Sequence, residues 1–469
     1  MTKRWWLVVG AASVLAVGGC GDDDSGTDVT DTNEDMEEVL DAADADADGD
    51  LDEGADADAD GDVGDVEDEA TGVCEVEFWI WDLGVMPPRD TQICASKRGE
   101  GEHAHVWVED EQWGPTVDQL GVDEILRRWD VETPAESVAP DQGIFEILTG
   151  VFGEPPDVFD EDPKINILLY GMEPFGTTEF DGYFRSTDMT AGSTSNRREM
   201  IHINTLTGRF ISSPYMIGVM AHEFHHMLQW RLDAEEETWL SESFSELAMI
   251  LTGYLTDLPA ANSWSRNPRD PLLVDGVGNP VNYGAAFLFG AYLYDRLSAA
   301  GVADLVADTA DGAASVETAV RRVEADATFV GFFAEFAAAI LVDDESLGDG
   351  RYGFLLVDPS KPTPAAVGFP AESVPVTVPA GGVAYARAAL DGAAHAELTV
   401  LAGAGAATRL GVRVILEDPV VGPQVFAVEA NEPLVLTDVP ATATGISFAM
   451  ATDEELPVSV AVSVGAAGG

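Results

Sequence analysis

The sequence predicts an α+β domain followed by an all-β domain of the sandwich type. Short runs rich in aromatic and β-branched residues occur between residues 74 and 204 and indicate strands. Apolar residues at helical spacing then continue to about residue 343. From about residue 359, Pro, Gly and Ala separate short valine-rich runs, which is typical of a small β-sandwich. We therefore expect folded domains at residues 72–358 and 359–469.

Individual segments support this division. In the first domain the expected strands are VCEVEFWIWDL, HAHVWVED, KINILLYGM and EMIHINT. The expected helices there include ILRRWD, GIFEILTGVFG, YGAAFLFGAYLYDRL and TFVGFFAEFAAAILV. In the second domain the expected strands are VPVTV, AELTVLA, RLGVRVILE and VSVAVSV.

The first twenty residues resemble a bacterial lipoprotein signal peptide. Lys3 and Arg4 form its positive start, and the apolar stretch of residues 5–17 is too short to span a bilayer comfortably. VGGC at residues 17–20 resembles a lipobox, after whose cleavage Cys20 becomes the lipidated N-terminus. The alternative is an ordinary export signal with an incidental cysteine. We expect an exported protein of the bacterial cell envelope, held at a membrane or the cell surface by a lipid anchor.

An acidic segment follows the signal. Residues 21–71 contain 24 Asp or Glu and no Lys or Arg. Like charges repel and few large apolar residues are present, so we expect a disordered, extended tether. Its second 12-residue repeat fits a calcium loop through Asp56, Asp58, Asp60 and Glu67. The alternative is a solvated spacer, because Asp-Ala repeats produce such matches easily.

Charge and cysteine content restrict the partners and the compartment. The chain has 85 acidic and 23 basic residues and a formal net charge of −62. Such a field repels nucleic acid, so we expect no nucleic-acid partner. Besides Cys20 the chain has only Cys74 and Cys94. In an exported protein one remaining pair predicts a disulfide, with two free thiols as the alternative.

Residues 220–230, MAHEFHHMLQW, predict a metal site. His222 and His226 are four residues apart, so on a helix they lie one turn above each other and can bind one ion. His225 is rotated by about 100° from His226 and cannot join them on that face. Glu223 lies beside the ligands, where it can accept a proton from a metal-bound water.

The next segment offers the third ligand that a zinc site with two histidines needs. In ETWLSESFSELA, Glu242 follows His226 by 16 residues and lies among large apolar residues on a predicted helix. Glu246 lies one turn further along and can accept the spare N–H of a ligating histidine. The alternative for Glu242 is a solvated acidic helix face.

These two segments together resemble the gluzincin metallopeptidases, and most closely the hyicolysin family of bacterial neutral metalloproteases, in which HEFQH precedes a TWLNEGLSE-like segment. The likeness covers roughly residues 160–345 and includes KINILLYGM, DGYFRSTDM and NYGAAFLFGAYLYDRL. It implies a zincin-like domain, with a mixed sheet and active-site helices, in residues 72–358. By position it also implies Zn²⁺ bound by His222, His226 and Glu242.

The resemblance further implies roles for the neighbouring residues. Glu223 matches the general base, and Glu246 falls where more distant relatives such as thermolysin carry an acidic supporting residue. This chain departs from the family pattern at His225, where Gln is usual, and in Ser241-Glu242-Ser243, where Asn-Glu-Gly is usual. Neither change removes a ligand, but the lost Asn weakens the expectation of substrate backbone binding.

The implied activity is zinc-dependent endopeptidase hydrolysis of protein or peptide substrates by a metal-activated water, with Glu223 as general base. Tyr283 is our candidate donor to the tetrahedral oxyanion, with an aromatic core role as the alternative. We expect the strand around Ile201–Ile203 to pair with an extended substrate, as sheet edges can.

A second class of function stays open on sequence grounds. The chain could be a lipid-anchored adhesion or binding protein, with a catalytically inactive protease-like domain and a calcium-responsive acidic spacer. The remaining histidines do not favour either class. We expect His202 to be structural, and His103 and His105 lack a third ligand for a second metal.

Overall fold

The computed structural model describes residues 9–11, 74–156, 160–255, 259–268, 270–273, 282–390, 395–403 and 405–466. The predicted lipobox with Cys20, the acidic tether of residues 21–71 and the candidate calcium ligands Asp56, Asp58, Asp60 and Glu67 lie outside these residues. Residues 74–469 belong to one compact unit. The described residues contain both helices and sheets, so the predicted α+β class is confirmed.

A seven-stranded mixed sheet forms the first part of this unit. Its strands run in the order β1-β6-β7-β5-β4-β3-β2. Their bounds are β1 (Val9–Ala11), β2 (Val76–Asp82), β3 (Arg89–Glu100), β4 (Ala104–Glu109), β5 (Ile165–Tyr170), β6 (Phe180–Phe184) and β7 (Met200–Asn204). Strands β4, β5 and β7 pair in parallel, whereas β6 runs antiparallel to β7. β5 is buried along its whole length, as a central parallel strand requires.

The expectation that the strand around Ile201–Ile203 lies at the sheet edge is wrong. These residues belong to β7, which is hydrogen-bonded to β5 on one side and β6 on the other. β6 lies outside β7, and its outer side pairs with β1, antiparallel, in the register Val9↔Tyr183 and Gly10↔Gly182. The side of the sheet that accepts an added strand is therefore β6.

Eight α-helices lie within the described residues. They are α1 (Gln119–Asp130), α2 (Ile144–Phe152), α3 (Pro214–Leu232), α4 (Thr238–Leu251), α5 (Pro259–Arg266), α6 (Tyr283–Val306), α7 (Ala313–Val323) and α8 (Phe329–Val342). α3 packs against β6 and β7 on one side and against α2 and α4 on the others. One continuous apolar core joins these helices to the sheet. α3 is thus the central helix beneath the β6 side of the sheet.

Two further sheets are built from residues 365–465. The five-stranded sheet has the order β13-β12-β15-β10-β8, and the four-stranded sheet has the order β14-β11-β16-β9. Their bounds are β8 (Ala365–Val367), β9 (Ala371–Val378), β10 (Val383–Ala389), β11 (Ala396–Leu401), β12 (Leu410–Glu417), β13 (Gln424–Val428), β14 (Leu434–Leu436), β15 (Gly445–Thr452) and β16 (Val458–Gly465). Alternate valines of β16 are buried in the core that both sheets share.

The five-stranded sheet also packs on the helical part of the protein. α8 lies against β12 and β15, and Tyr385 of β10 donates its hydroxyl hydrogen bond to the Ala337 carbonyl of α8 at 3.0 Å. Close approach is possible at Gly411, where a Cβ atom would lie 2.0 Å from the Val330 carbonyl oxygen. The sheets of residues 365–465 are therefore held to the rest of the unit by a buried contact.

Cys74 and Cys94 form a disulfide, with their Cα atoms 5.3 Å apart, so the predicted pairing is confirmed. The bridge ties the chain ahead of β2 to its antiparallel neighbour β3. Across the described residues, none of the helices combines the length and the apolar character that a membrane crossing requires.

Candidate metal centre

α3 brings the HExxH residues into the interior. Ser213 caps the helix by accepting the Met216 N–H at 3.4 Å, and Pro214 occupies the first turn, where its missing N–H costs nothing. The helix is buried from Met216 to Gln229, since it is covered by the sheet, by α2 and by α4. A helix buried on all sides places its polar side chains where only specific partners can satisfy them.

His222, His226 and Glu242 come together between α3 and α4. One ligand atom from each of the three lies within 4.8 Å of the others. His222 Nε2 is 3.3 Å from Glu242 Oε2, and His226 Nε2 is 3.7 Å from Glu242 Oε1. Atoms bound to one tetrahedral zinc at about 2 Å are separated by about 3.4 Å, so these spacings suit a shared ion.

The far nitrogens of the two histidines also have neighbours. His222 Nδ1 lies 3.4 Å from Glu246 Oε1, one helical turn after Glu242. His226 Nδ1 lies 3.2 Å from Ser241 Oγ. The Glu246 carboxylate favours a proton on Nδ1 of His222, whereas the hydroxyl groups of Ser241 and Ser245, both 3.2 Å from His226 Nδ1, can either donate or accept. Ser241 thereby supports a ligand, although the family pattern has Asn at this position.

The electrostatics of this cluster favour a cation. Burial opposes charging of His222, yet Glu242 and Glu246 outweigh it and raise the pKa of His222. Burial, followed by the charge of His222, lowers the pKa of His226. Three carboxyl groups, including Glu223, therefore surround two imidazoles in a site shielded from water, where charge interactions are strong.

Glu223 is held in place by the sheet. The Phe184 N–H at the end of β6 is close enough to the Glu223 carboxyl group to lower its pKa, while Oε2 has no hydrogen-bond partner among the described residues. Burial raises the pKa of Glu223 to about 8. A Cβ atom at Gly182 of β6 would lie 3.2 Å from Glu223 Cγ, so β6 passes directly over this side chain. Glu223 Oε2 is thus the carboxyl oxygen that can accept a hydrogen bond or a proton from a further group.

The cluster fits a zinc ion by its donor set and by its unsatisfied atoms. Two imidazoles and one carboxylate are ligands that zinc binds in catalytic sites with an open fourth position. His222 Nε2 and Glu242 Oε2 are buried and lie 3.3 Å apart, but neither has a hydrogen bond of good geometry among the described residues. Buried polar atoms without partners are costly, so a ligand that both atoms can bind would offset that cost.

The other histidines lie elsewhere. The ring of His225 packs edge-on against the ring of Phe152 in α2, with the ring centroids 4.5 Å apart. His225 Nδ1 lies 2.9 Å from Ser245 Oγ. His202 Nε2 lies 2.7 Å from Asp188 Oδ2, and its ring stacks on Tyr183 at 4.4 Å. His202 therefore belongs to a buried hydrogen-bonded cluster at the end of β6 and is structural, as expected.

His103 and His105 have separate partners. The ring of His103 stacks on Phe145 of α2 at 4.1 Å. His105 Nε2 lies 2.8 Å from Asp162 Oδ2. Within the described residues the group with metal-ligand spacing is the one formed by His222, His226 and Glu242.

Tyr283 lies at the first position of α6, following the N-cap Asn282, whose side chain accepts the Ala285 N–H. It is half-buried and outside the three-ligand cluster. α6 packs tightly on α4, since a Cβ atom at Gly290 would lie 2.1 Å from the Ser243 carbonyl oxygen. The role of Tyr283 towards an oxyanion stays a prediction, whereas α6 as a whole supports the helix of Glu242.

Two residues near the centre were missed by the sequence analysis. Tyr215 donates its hydroxyl hydrogen bond to Asp181 Oδ2 at 2.6 Å. The charge of Asp181 contributes to the raised pKa of Glu223, and the charge of Glu246 contributes to the raised pKa of Tyr215. Asp181 and Tyr215 therefore lie beside the group formed by His222, His226 and Glu242. Helical periodicity could have found Tyr215, since it lies two turns before His222 on α3. Asp181 gave no such signal, because its position depends on strand pairing.

Comparisons with known proteins leave the family open. No family model and no curated protein matches the chain. Among solved structures, the match with a mitogen from Yersinia pseudotuberculosis covers 19% of this chain and 82% of the mitogen chain, with 9% identity and a TM-score of 0.17. The match with the pre-peptidase C-terminal domain of a collagenase from Bacillus anthracis covers 23% of this chain and 99% of that domain, with 9% identity and a TM-score of 0.17. Likenesses at this level assign neither a fold family nor a function.

Proposed function

We propose that the protein is a zinc-dependent endopeptidase of the bacterial cell envelope, anchored by a lipid on Cys20. The observation that carries this proposal is the convergence of His222, His226 and Glu242 from two helices, with Glu223 adjacent and buried. The sequence resemblance to gluzincins, together with a mixed sheet that covers the HExxH helix, supports a zincin-like domain.

His222, His226 and Glu242 would hold the zinc, which when bound polarises a peptide carbonyl and lowers the pKa of a water. Glu223 takes the proton of the attacking water on Oε2, the oxygen that has no partner among the described residues. The same carboxyl group then protonates the leaving amine. The Phe184 N–H favours the charged form of this carboxyl group, which supports Glu223 as the proton acceptor.

β6 provides the surface for the peptide substrate. Its outer side pairs with β1, which lies within the predicted signal peptide, so cleavage before Cys20 would leave the main-chain N–H and C=O groups of β6 free to bind an extended segment. Gly182 of β6 lies over Glu223, which brings a paired peptide next to the general base. Tyr283 remains our candidate for an additional donor to the oxyanion.

The alternative is a lipid-anchored binding protein whose protease-like part is inactive. Its sequence basis is the acidic spacer and the C-terminal sheets. The buried carboxyl of Glu223 favours the enzyme, because a binding protein has no use for a costly buried acid beside three metal ligands.

Casein hydrolysis by the purified protein that begins at Cys20 tests the proposal. We expect hydrolysis with zinc, loss of hydrolysis with a zinc chelator, and a fall of at least about a hundredfold in Glu223→Gln, as for removal of a general base. Activity that survives both the chelator and the substitution would refute the mechanism. Stoichiometric zinc without hydrolysis in the unsubstituted protein would favour the binding protein.

A further inference from the structure

A small pocket opens beside the metal centre at the C-terminal end of α3. It has a volume of about 60 Å³ and is lined by His226 and Ser241 on the side of the ion site. Phe184, the last residue of β6, forms another wall. The pocket therefore lies between the predicted metal ligands and the strand that would bind the substrate.

The wall formed by α3 contains an amide without partners. Gln229 is 2% exposed, and neither Oε1 nor Nε2 has a hydrogen-bond partner among the described residues. Asp233, one helical turn later, also contributes a buried oxygen without a partner, Oδ2. Buried polar atoms of this kind are costly unless a ligand satisfies them. Both side chains line the pocket, so the ligand belongs there.

The titratable side chains of the pocket, apart from His226, are carboxyl groups. Asp233 and Glu236 both line it, and its lining contains no Lys or Arg. Burial raises the pKa of Asp233, and Asp311 adds repulsion. Burial also raises the pKa of Glu236 to about 8, with a contribution from Asp233. The carboxyl groups therefore lack a counter-charge, which a cation with several N–H donors would supply.

The direction of the bound peptide follows from β6. In the pairing with β1, Val9 lies opposite Tyr183 and Ala11 lies opposite Phe180, so an antiparallel strand enters with its amino-terminal part near Phe184. Phe184 borders the pocket, whereas Gly182 lies over Glu223. A peptide bond placed at Glu223 thus directs residues on its amino-terminal side to the pocket.

We propose that this pocket selects substrates with a lysine or arginine side chain on the amino-terminal side of the cleaved bond. A volume of about 60 Å³ has room for a few waters and therefore for the charged end of a side chain. The proposal rests on the endopeptidase function, because it concerns the substrate of that same site.

Paired peptides test the selection. Quenched-fluorescent peptides carry lysine, norleucine or glutamate at the two positions before the cleaved bond, and kcat/KM is measured with the zinc-loaded protein that begins at Cys20. We expect the lysine peptide to exceed norleucine by about tenfold or more, as a buried charge pair allows. The combined Asp233→Asn and Glu236→Gln variant should lose this ratio. Glu235→Gln, an exposed neighbour outside the pocket lining, is the matched control and should keep it.

A binding measurement separates this proposal from the proposed function. Isothermal titration of the same peptides into Glu223→Gln records selection without hydrolysis. A preference for the lysine peptide that depends on Asp233 and Glu236 supports the pocket. If the unsubstituted protein shows that preference but cleaves no peptide, only the endopeptidase function is overturned. Cleavage with equal kcat/KM for lysine and norleucine, or equal binding of both, overturns the pocket.

Discussion

His222 Nε2 lies 3.3 Å from Glu242 Oε2, although the two residues belong to different helices and a turn of chain separates those helices. The distance between His222 and Glu242 depends on the packing of α3 against α4. It also depends on α6, which packs against α4. The proposed ion site is therefore a property of the assembled helices, with the HExxH helix contributing two of its three candidate ligands. It can be tested by substituting the candidate ligands, the residue beside His222, and a glycine at the contact between α4 and α6.

Loss of a ligand should remove the metal. His226→Ala and Glu242→Ala each leave two of three protein ligands, so we expect the zinc content to fall from one per chain to near zero after dialysis. Atomic absorption on protein of verified circular dichroism measures this. His225→Gln, which restores the usual family residue outside the cluster, is the control and should retain zinc. Zinc loss in the control, or retention in both ligand variants, contradicts the assignment.

Glu246 should orient His222 without binding the ion itself. Glu246→Gln keeps the shape of the side chain but removes the charge that lies 3.4 Å from His222 Nδ1. Supporting residues of this kind change metal affinity by about 10–100-fold, so we expect a weaker zinc Kd in that range. Competition with a chromophoric chelator gives the Kd. An unchanged Kd would assign Glu246 to folding alone, and Glu235→Gln should show that unchanged value.

Close packing of α6 on α4 should be required for stability. In Gly290→Ala the new methyl would meet the Ser243 carbonyl oxygen at 2.1 Å, so the helices must separate. We expect a loss of about 1–3 kcal/mol in the free energy of unfolding, as for other overpacked sites. Gly150→Ala in α2 has open space around its Cβ and should instead be neutral or stabilising. Urea unfolding compares the two, and equal effects would contradict the tight contact.

Glu236 should make the protein less stable as pH rises. Its pKa is about 8 in the folded protein and 4.5 in the unfolded reference, so between these values the folded state holds a proton that the unfolded state has lost. The free energy of unfolding therefore decreases from pH 5 to pH 8, by roughly 2–4 kcal/mol from this group.

Glu236→Gln stays neutral and should remove that part of the decrease. Urea unfolding at pH 5, 6.5 and 8 gives the comparison, and the variant should exceed the unsubstituted protein in stability at pH 8. Glu235→Gln, whose side chain is exposed, should follow the unsubstituted protein. Parallel curves for Glu236→Gln and the unsubstituted protein would show that Glu236 is ionised in the fold.

Much of the local structure could be predicted because it depends on residues close together in the chain. Helical spacing paired His222 with His226 and turned His225 away, towards Phe152. The apolar neighbours of Glu242 predicted a buried side chain, and it is 2% exposed. Valine alternation likewise predicted strands such as β16. In each case the periodicity of one element determines which face is buried.

Features that depend on the order of strands could not be obtained this way. EMIHINT was correctly predicted as a strand, yet nothing in it shows that β6 lies outside it, so the edge was assigned to the wrong strand. Asp181 reaches Tyr215 only through that order. Gln229 and Asp233 follow the motif closely in sequence, but their missing partners become visible only in the packed structure.

Zinc titration of the chelator-treated protein that begins at Cys20 shows whether hydrolysis depends on one bound zinc. Hydrolysis of a quenched-fluorescent peptide is recorded as zinc is added back to protein of known concentration. We expect negligible activity without zinc and a rise that saturates at one zinc per chain. Full activity before any zinc is added, or no activity at saturation in a folded protein, would contradict it.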